Sequence, residues 1–346
     1  MNNSEINIAG RKIGSKYQPF VIAEIGINHD GDVNKARIII DDAVAAGSEC
    51  VKFQCHVIED EMIPNDVIPG NTSESIWNIM KRCALNENEE RELMDYCKRK
   101  GVIYLSTPFS RAAADRLERM GVDAYKIGSG ECNNYPLVEH IAKFEKPVIL
   151  STGMNNIENI DKSVNILRRY KVQFALLHCT SIYPTPYDKV RLGAISQLKH
   201  AFPDAVVGLS DHSLTNYPCL GAVALGASIL ERHFTSDNHW AGPDISISMD
   251  PSELKDLIEG SRAIFQALGG EKEILAEEQP TIDFAYASVV SIKDIIAEEI
   301  LSEDNIWVKR PGTGEIRAAQ YKSLLGKRAK IDIRADSQIK WDWICE

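Results

Sequence analysis

Three charged residues stand inside runs that are otherwise apolar: Glu24 in FVIAEIG, Lys52 in CVKFQ and Lys126 in AYKIG. A charge is costly to bury unless it is paired, so each is read as a functional group; the plainer alternative is a core lysine matched by a carboxylate. Two lysines together with Thr107, Ser129 and Ser151 make a pocket for a polyanion. The turn KIGSGE at 126–131 adds backbone N–H groups that can approach a phosphate closely, a weak signal taken alone. His212 and His233 close two further runs. Two imidazoles that converge on a divalent cation leave coordination positions open for a carbonyl oxygen and a water. The alternative is a pair of histidines that cap core strands. His29 and His178 are read as structural, and Tyr183, between Ile182 and Pro184, as either a packing or a site residue.

These residues need a frame that brings distant strand ends together. Eight short β-rich runs recur at 20–26, 50–54, 102–107, 124–128, 147–152, 174–179, 206–211 and 228–234, separated by amphipathic helical segments that end at glycines. Strands apolar on both faces, alternating with helices, point to a (β/α)8 TIM barrel, whose active site lies at the C-terminal ends of the strands. A doubly wound sheet is disfavoured because no glycine-rich dinucleotide turn follows the first strand. The opening INIAGRKIG reads as a hairpin able to plug the barrel bottom. The long connection 55–87 reads as a binding loop or lid. The expected domains are 1–270 for the barrel, a polar linker at 271–286, and a small β-rich domain at 287–346. That last piece is too small to hold much core alone and is expected to dock on something.

The chain has 346 residues and a formal charge of −11, which argues against nucleic-acid binding by the surface as a whole. No apolar stretch is long enough to span a bilayer, so no membrane association and a cytoplasmic location are expected. The eight cysteines show no CxxC pair and read as reduced thiols.

Long ordered motifs carry a resemblance to a known family. AEIGINHDG at 23–31, STPFSRAAADRLERMGVDAYKIGSGECNNYPL at 106–137, VILSTGM at 148–154, YPTP at 183–186, GLSDHS at 208–213, ERHF at 231–234, GPDISISMD at 242–250, TIDFAYASVV at 281–290 and VKRPGTGE at 308–315 closely resemble the bacterial N-acetylneuraminate (sialic acid) synthases. The resemblance implies a barrel that binds phosphoenolpyruvate (PEP), followed by an antifreeze-like (SAF) domain, in a domain-swapped homodimer. It implies condensation of PEP with N-acetylmannosamine, or, in a sister activity, with 2,4-diacetamido-2,4,6-trideoxymannose to give legionaminic acid.

By the same resemblance His212 and His233 hold Mn²⁺ or Mg²⁺, and Lys52, Thr107, Lys126, Ser129, Ser151 and Ser181 meet PEP. Gln54, Asn71, Tyr183, Asp244 and Phe284 face the sugar, with Arg310 reaching in from the partner chain. Glu24 and Glu131, on the sugar side too, are the two candidates for the proton acceptor, and the residues alone do not choose between them. Phe53 and Ser181 stand where many members carry His and Asn; the shorter serine replaces an amide contact by none or by one through water.

Overall fold

The structure, a computed structural model, describes residues 4–70 and 72–345. The chain divides into two compact units, Met1–Gly269 and Gly270–Glu346.

The first unit opens with an antiparallel hairpin, β1 (Glu5–Ile8) and β2 (Arg11–Gly14). Eight barrel strands follow: β3 (Phe20–Gly26), β4 (Cys50–Cys55), β5 (Ile103–Pro108), β6 (Tyr125–Ile127), β7 (Val148–Ser151), β8 (Phe174–Cys179), β9 (Val206–Asp211) and β10 (Ile229–His233). Parallel ladders run in the order β5-β4-β3-β10-β9-β8-β7-β6, and β5 lies beside β6 to close the ring. Nearly every strand residue is buried, because hairpin and opposite strands fill the inside while helices cover the outside.

Helix boundaries follow local chemistry. Helix Glu87–Lys100 starts from a capping box of Asn86 and Glu89 and stops at Gly101, whose φ of 73° suits a residue without Cβ. The long connection 55–87 is not bare loop: it carries helical turns at Ile58–Glu61 and Ile76–Cys83, the second capped by Ser75.

Inward residues change character along each strand. At the N-terminal end Ile6, Ile8 and Ile13 of the hairpin pack with Phe20, Ile22, Leu105, Ile149, Leu177 and Ile229, so the bottom is plugged by hydrocarbon. Two positions further along, the same faces present Glu24, Lys52, Thr107, Lys126, Ser151, Ser210 and Glu231. Period-two alternation therefore converts an apolar floor into a polar chamber.

The second unit holds β11 (Ser288–Ser291) and β12 (Ile306–Lys309), paired antiparallel. The segment 271–286 is not extended linker throughout: it contains a turn at Ala276–Glu278 and a helix at Gln279–Ala285. Contrary to the expectation from size, this unit encloses its own core, with Val289, Ile295, Leu301, Ile306, Ile316, Leu324, Ile333 and Ile339 buried together. Isolated bridges and turns wrap the chain around those side chains where regular elements are scarce.

Candidate active site

Two adjoining cavities occupy the C-terminal end of the barrel. The inner one, about 330 Å³, is lined by Glu24, Lys52, Thr107, Lys126, Ser129, Ser151, Cys179, Ser210, His212 and Glu231. The outer one, about 560 Å³, is walled largely by apolar groups, among them Ile27, Pro69, Ile76, Ile79, Met80 and Pro243, with Asp244 as its acidic residue. Gln54, Phe109, Ser181, Tyr183 and His233 face both. The connection after β4 thus supplies one wall of the outer cavity.

The floor of the inner cavity is a chain of ion pairs. Lys52 Nζ lies 2.6 Å from Glu24 Oε2 and donates to Thr107 Oγ1 at 3.1 Å. Lys126 Nζ lies 3.2 Å from Glu231 Oε1, which also accepts from Ser210 Oγ at 3.1 Å and stands 3.8 Å from Lys52 Nζ. Burial pushes Glu24 above the usual carboxylate range in spite of Lys52, and Glu231 pushes it the same way. Burial also opposes a charge on Glu231, but Lys126 and Lys52 outweigh it and hold that carboxyl low. On Lys126 burial prevails and lowers the ammonium, whereas on Lys52 the two glutamates overcome burial and raise it.

Glu231 is the functional candidate that reading the strand ends missed. Its signal was present: it lies two residues before His233 in one strand and so shares that residue's inward face. His56 was missed as well. It stacks on Phe109 with centroids 4.8 Å apart, contacts Gln54 Oε1 at 3.0 Å and Glu61 Oε2 at 2.8 Å, and so turns the Gln54 amide toward Glu24 Oε1 at 3.4 Å.

Ser129 Oγ accepts from Gly153 N at 3.0 Å. A Cβ at Gly153 would stand 2.5 Å from Ser181 Oγ and 2.8 Å from Ser129 Oγ, so only glycine lets these two hydroxyls approach the same wall. Ser151 Oγ makes no hydrogen bond among the described residues.

The imidazoles of His212 and His233 lie 5.5 Å apart, with the Tyr183 ring 4.1 Å from His212. His212 Nδ1 faces the Thr180 carbonyl at 3.0 Å, which leaves Nε2 as its other donor. Burial, and then the neighbouring His212, keep His233 well below the usual imidazole range, and its buried Nδ1 has no hydrogen-bond partner. Burial opposes a proton on His212 too, but Cys179 and the Thr180 carbonyl favour it, up to about 9. Among the described residues no group of three or more His, Cys, Asp or Glu is arranged around a metal position. His233 with its unpartnered Nδ1 and His212 with its Nε2 would offer two nitrogens to a divalent cation and leave its remaining positions open, which is not a closed structural site. Asp244 Oδ2 stands 3.8 Å from His233 Nδ1, and burial pushes its carboxyl up to about 6.

Some expected residues lie elsewhere. Glu131, in the turn after β6, lines neither cavity; its carboxylate accepts from Asn134 Nδ2 at 2.5 Å, and burial raises it. Phe284 and Arg310 belong to the second unit, where the guanidinium sits 5.5 Å above the ring. Asn71 falls outside the described residues. Phe53 packs on the helix side, 5.5 Å from Tyr104 and 5.9 Å from His29, away from both cavities. His178 is tied to the Val190 carbonyl, and His29 accepts from Gly31 N, both in structural roles. All eight cysteines are free. No helix among the described residues is long and apolar enough to cross a membrane.

Comparison with known proteins agrees with this architecture. The model of the NeuB family matches residues 39–273 and that of the SAF domain residues 286–344. The N,N'-diacetyllegionaminic acid synthase of Campylobacter jejuni is 38% identical over 92% of this chain and 98% of its own length. The human N-acetylneuraminate-9-phosphate synthase is 32% identical over 95% of this chain and 94% of its own. The crystal structure of the sialic acid synthetase of Leptospira borgpetersenii, 35% identical, superposes with a TM-score of 0.75 over 81% of this chain and 95% of that one. With a family match over most of the barrel, a second over the small unit and relatives above 30% identity along nearly the whole length, the chain belongs to the NeuB family of sialic-acid-type synthases, a TIM-like barrel followed by a SAF domain.

Proposed function

We propose that the chain is an N-acetylneuraminate synthase that condenses PEP with N-acetylmannosamine and water to give N-acetylneuraminate and phosphate, breaking the C–O bond of PEP. The observation that carries this reading is the joining of two unlike cavities at His233 and Tyr183, beside His212. The inner one, with two buried lysines and the hydroxyls of Thr107, Ser129 and Ser151, suits a small polyanion; the outer one suits a larger, partly apolar partner.

In this reading Lys52 and Lys126 neutralise the phosphate and carboxylate of PEP, while Ser129, Ser151 and Ser181 fix its orientation. C3 of PEP attacks the aldehyde of the open-chain sugar, positive charge grows at C2, and water adds there before phosphate leaves. Mn²⁺ or Mg²⁺ held by His212 and His233 would supply a Lewis acid for the aldehyde oxygen. Glu24, on the wall of the inner cavity, takes the proton of the incoming water. Gln54, Asn71, Tyr183 and Asp244 face the sugar. Phe284 faces the sugar as well, Arg310 reaches in from the SAF domain of a second copy in a swapped homodimer, and the enzyme works in the cytoplasm.

A second reading has a specific support. The Campylobacter relative named as a legionaminic acid synthase is more similar to this chain than the human N-acetylneuraminate-9-phosphate synthase is. Its sugar would be 2,4-diacetamido-2,4,6-trideoxymannose. Phosphate release from PEP with Mn²⁺, measured with N-acetylmannosamine, with the diacetamido sugar and with neither, separates the two. Release that needs N-acetylmannosamine supports the first reading, preference for the diacetamido sugar moves the assignment to the second, and no sugar-dependent release overturns both.

A further inference from the structure

We propose that Arg232 and Asp211, a buried pair on the helix side of β9 and β10, are positioning residues that aim His212 and His233, so that removing them loosens divalent-cation binding and leaves the PEP pocket intact. The proposal rests on the reading that those two histidines hold the cation.

Alternation along the strands sets up the arrangement. Ser210 and His212, like Glu231 and His233, face the barrel interior, so Asp211 and Arg232 face outward, and the β9–β10 register places them side by side. Neither lines the inner or the outer cavity. Arg232 is only 2% exposed and is the largest of the fully buried side chains. Its Nη2 donates to the Ser213 carbonyl at 2.6 Å and its Nη1 to Asn216 Oδ1 at 2.6 Å, with Nε 3.7 Å from Asp211 Oδ2. Asp211 in turn accepts from Ser213 Oγ at 2.5 Å and from Ser213 N at 3.2 Å. Asn216 Nδ2 reaches on to the Glu253 carbonyl in the first turn of helix Pro251–Ala267.

Ser213, which follows His212, is thus bonded to the residue that immediately precedes His233, and Asp211, which precedes His212, stands at ion-pair distance from it. Backbone bonds hold the histidines from their other sides: Thr185 N donates to the His212 carbonyl at 3.0 Å, and Met249 N to that of His233 at 2.7 Å. Stability alone does not account for the pair. Burying two ions costs several kcal/mol, and apolar side chains of the same volume would fill the space at least as well. A guanidinium can do what hydrocarbon cannot, which is to bond a loop carbonyl and an amide in fixed directions. Two ligands from two strands can share one cation only if their rings keep a narrow relative geometry, and outer partners of metal ligands are where that geometry is set.

The test compares Mn²⁺ and PEP binding, each by calorimetry with the other ligand absent, in the full-length wild type, in Arg232→Lys and in the double variant Asp211→Asn with Arg232→Met. The double variant removes both charges, so no lone ion is left buried. It is expected to fold, to weaken Mn²⁺ binding roughly 10–100-fold and to keep PEP affinity within about threefold; Arg232→Lys, which keeps the charge but loses the fork, falls between. Unchanged Mn²⁺ affinity, or loss of Mn²⁺ and PEP binding in equal measure, overturns the proposal. Should the double variant not fold, Arg232→Lys decides by the same split. His212→Ala serves as the control: if it binds Mn²⁺ as the wild type does, or if the wild type binds none, the cation reading itself fails, and the clamp with it.

Discussion

Glu231 is a carboxylate where an anion is expected to bind, and its position explains how two lysines can be buried beforehand. Lys52 and Lys126 would repel each other in the empty chamber; Glu231 lies within ion-pair distance of both, and Glu24 adds a second negative charge against Lys52. Lys52 is thereby held as a charged, pre-aimed group, while on Lys126 Glu231 offsets only part of the pull of burial. Geometry also separates the two candidate bases, since Glu24 faces the inner cavity and Glu131 does not. Glu24→Gln is expected to lower the single-turnover rate of phosphate release by roughly 10²–10⁴, and Glu131→Gln by less than about tenfold. A larger loss at Glu131 would place the base there, and equal losses would overturn the assignment to Glu24.

At the scale of single elements, two positions show how tightly the barrel wall is built. Gly208 in β9 faces inward at a point where a Cβ would stand 2.4 Å from the Ile229 carbonyl and 2.6 Å from Leu177 Cδ2. Gly208→Ala should therefore destabilise the barrel by about 1–3 kcal/mol, read as a lower melting temperature. On the outside, Glu90 of helix Glu87–Lys100 is buried against the barrel, accepts from Cys55 Sγ at 3.3 Å and stands 3.6 Å from Arg116. Burial raises its carboxyl to about 7, against the pull of Arg116. Between its unfolded value and 7 the folded chain keeps a proton that the unfolded chain releases, so this group's contribution to stability is present below that window and falls as pH rises through it. Glu90→Gln keeps the neutral shape at every pH. It should melt roughly 3 °C or more above the wild type at pH 8 and close to it at pH 5; a constant difference across this range would contradict the assignment.

For the whole molecule, the proposed swap has a consequence that neither unit shows by itself. If Arg310 serves the partner's site, mixing Arg310→Ala chains with Lys126→Ala chains, each inactive, should restore activity after subunit exchange, because each mixed dimer contains one intact site; no recovery counts against a shared site. The eight strands were legible in the sequence because strands buried on both faces are continuous apolar runs, and the charges that interrupt those runs near their ends mark the chamber. Asp211 and Arg232 lie in motifs that the sequence displays, GLSDHS and ERHF, but their meeting, like that of Glu231 with Lys126 a hundred residues away, needs the ring to be closed. The SAF unit's core was hidden for a different reason: isolated bridges leave no period to read. Sequence alone determined the strands, the face each residue occupies and the chemistry those residues can do, since these follow from alternation over a few neighbours. Only the tertiary structure decided which side chains touch, because register and closure are set by packing among strands far apart along the chain.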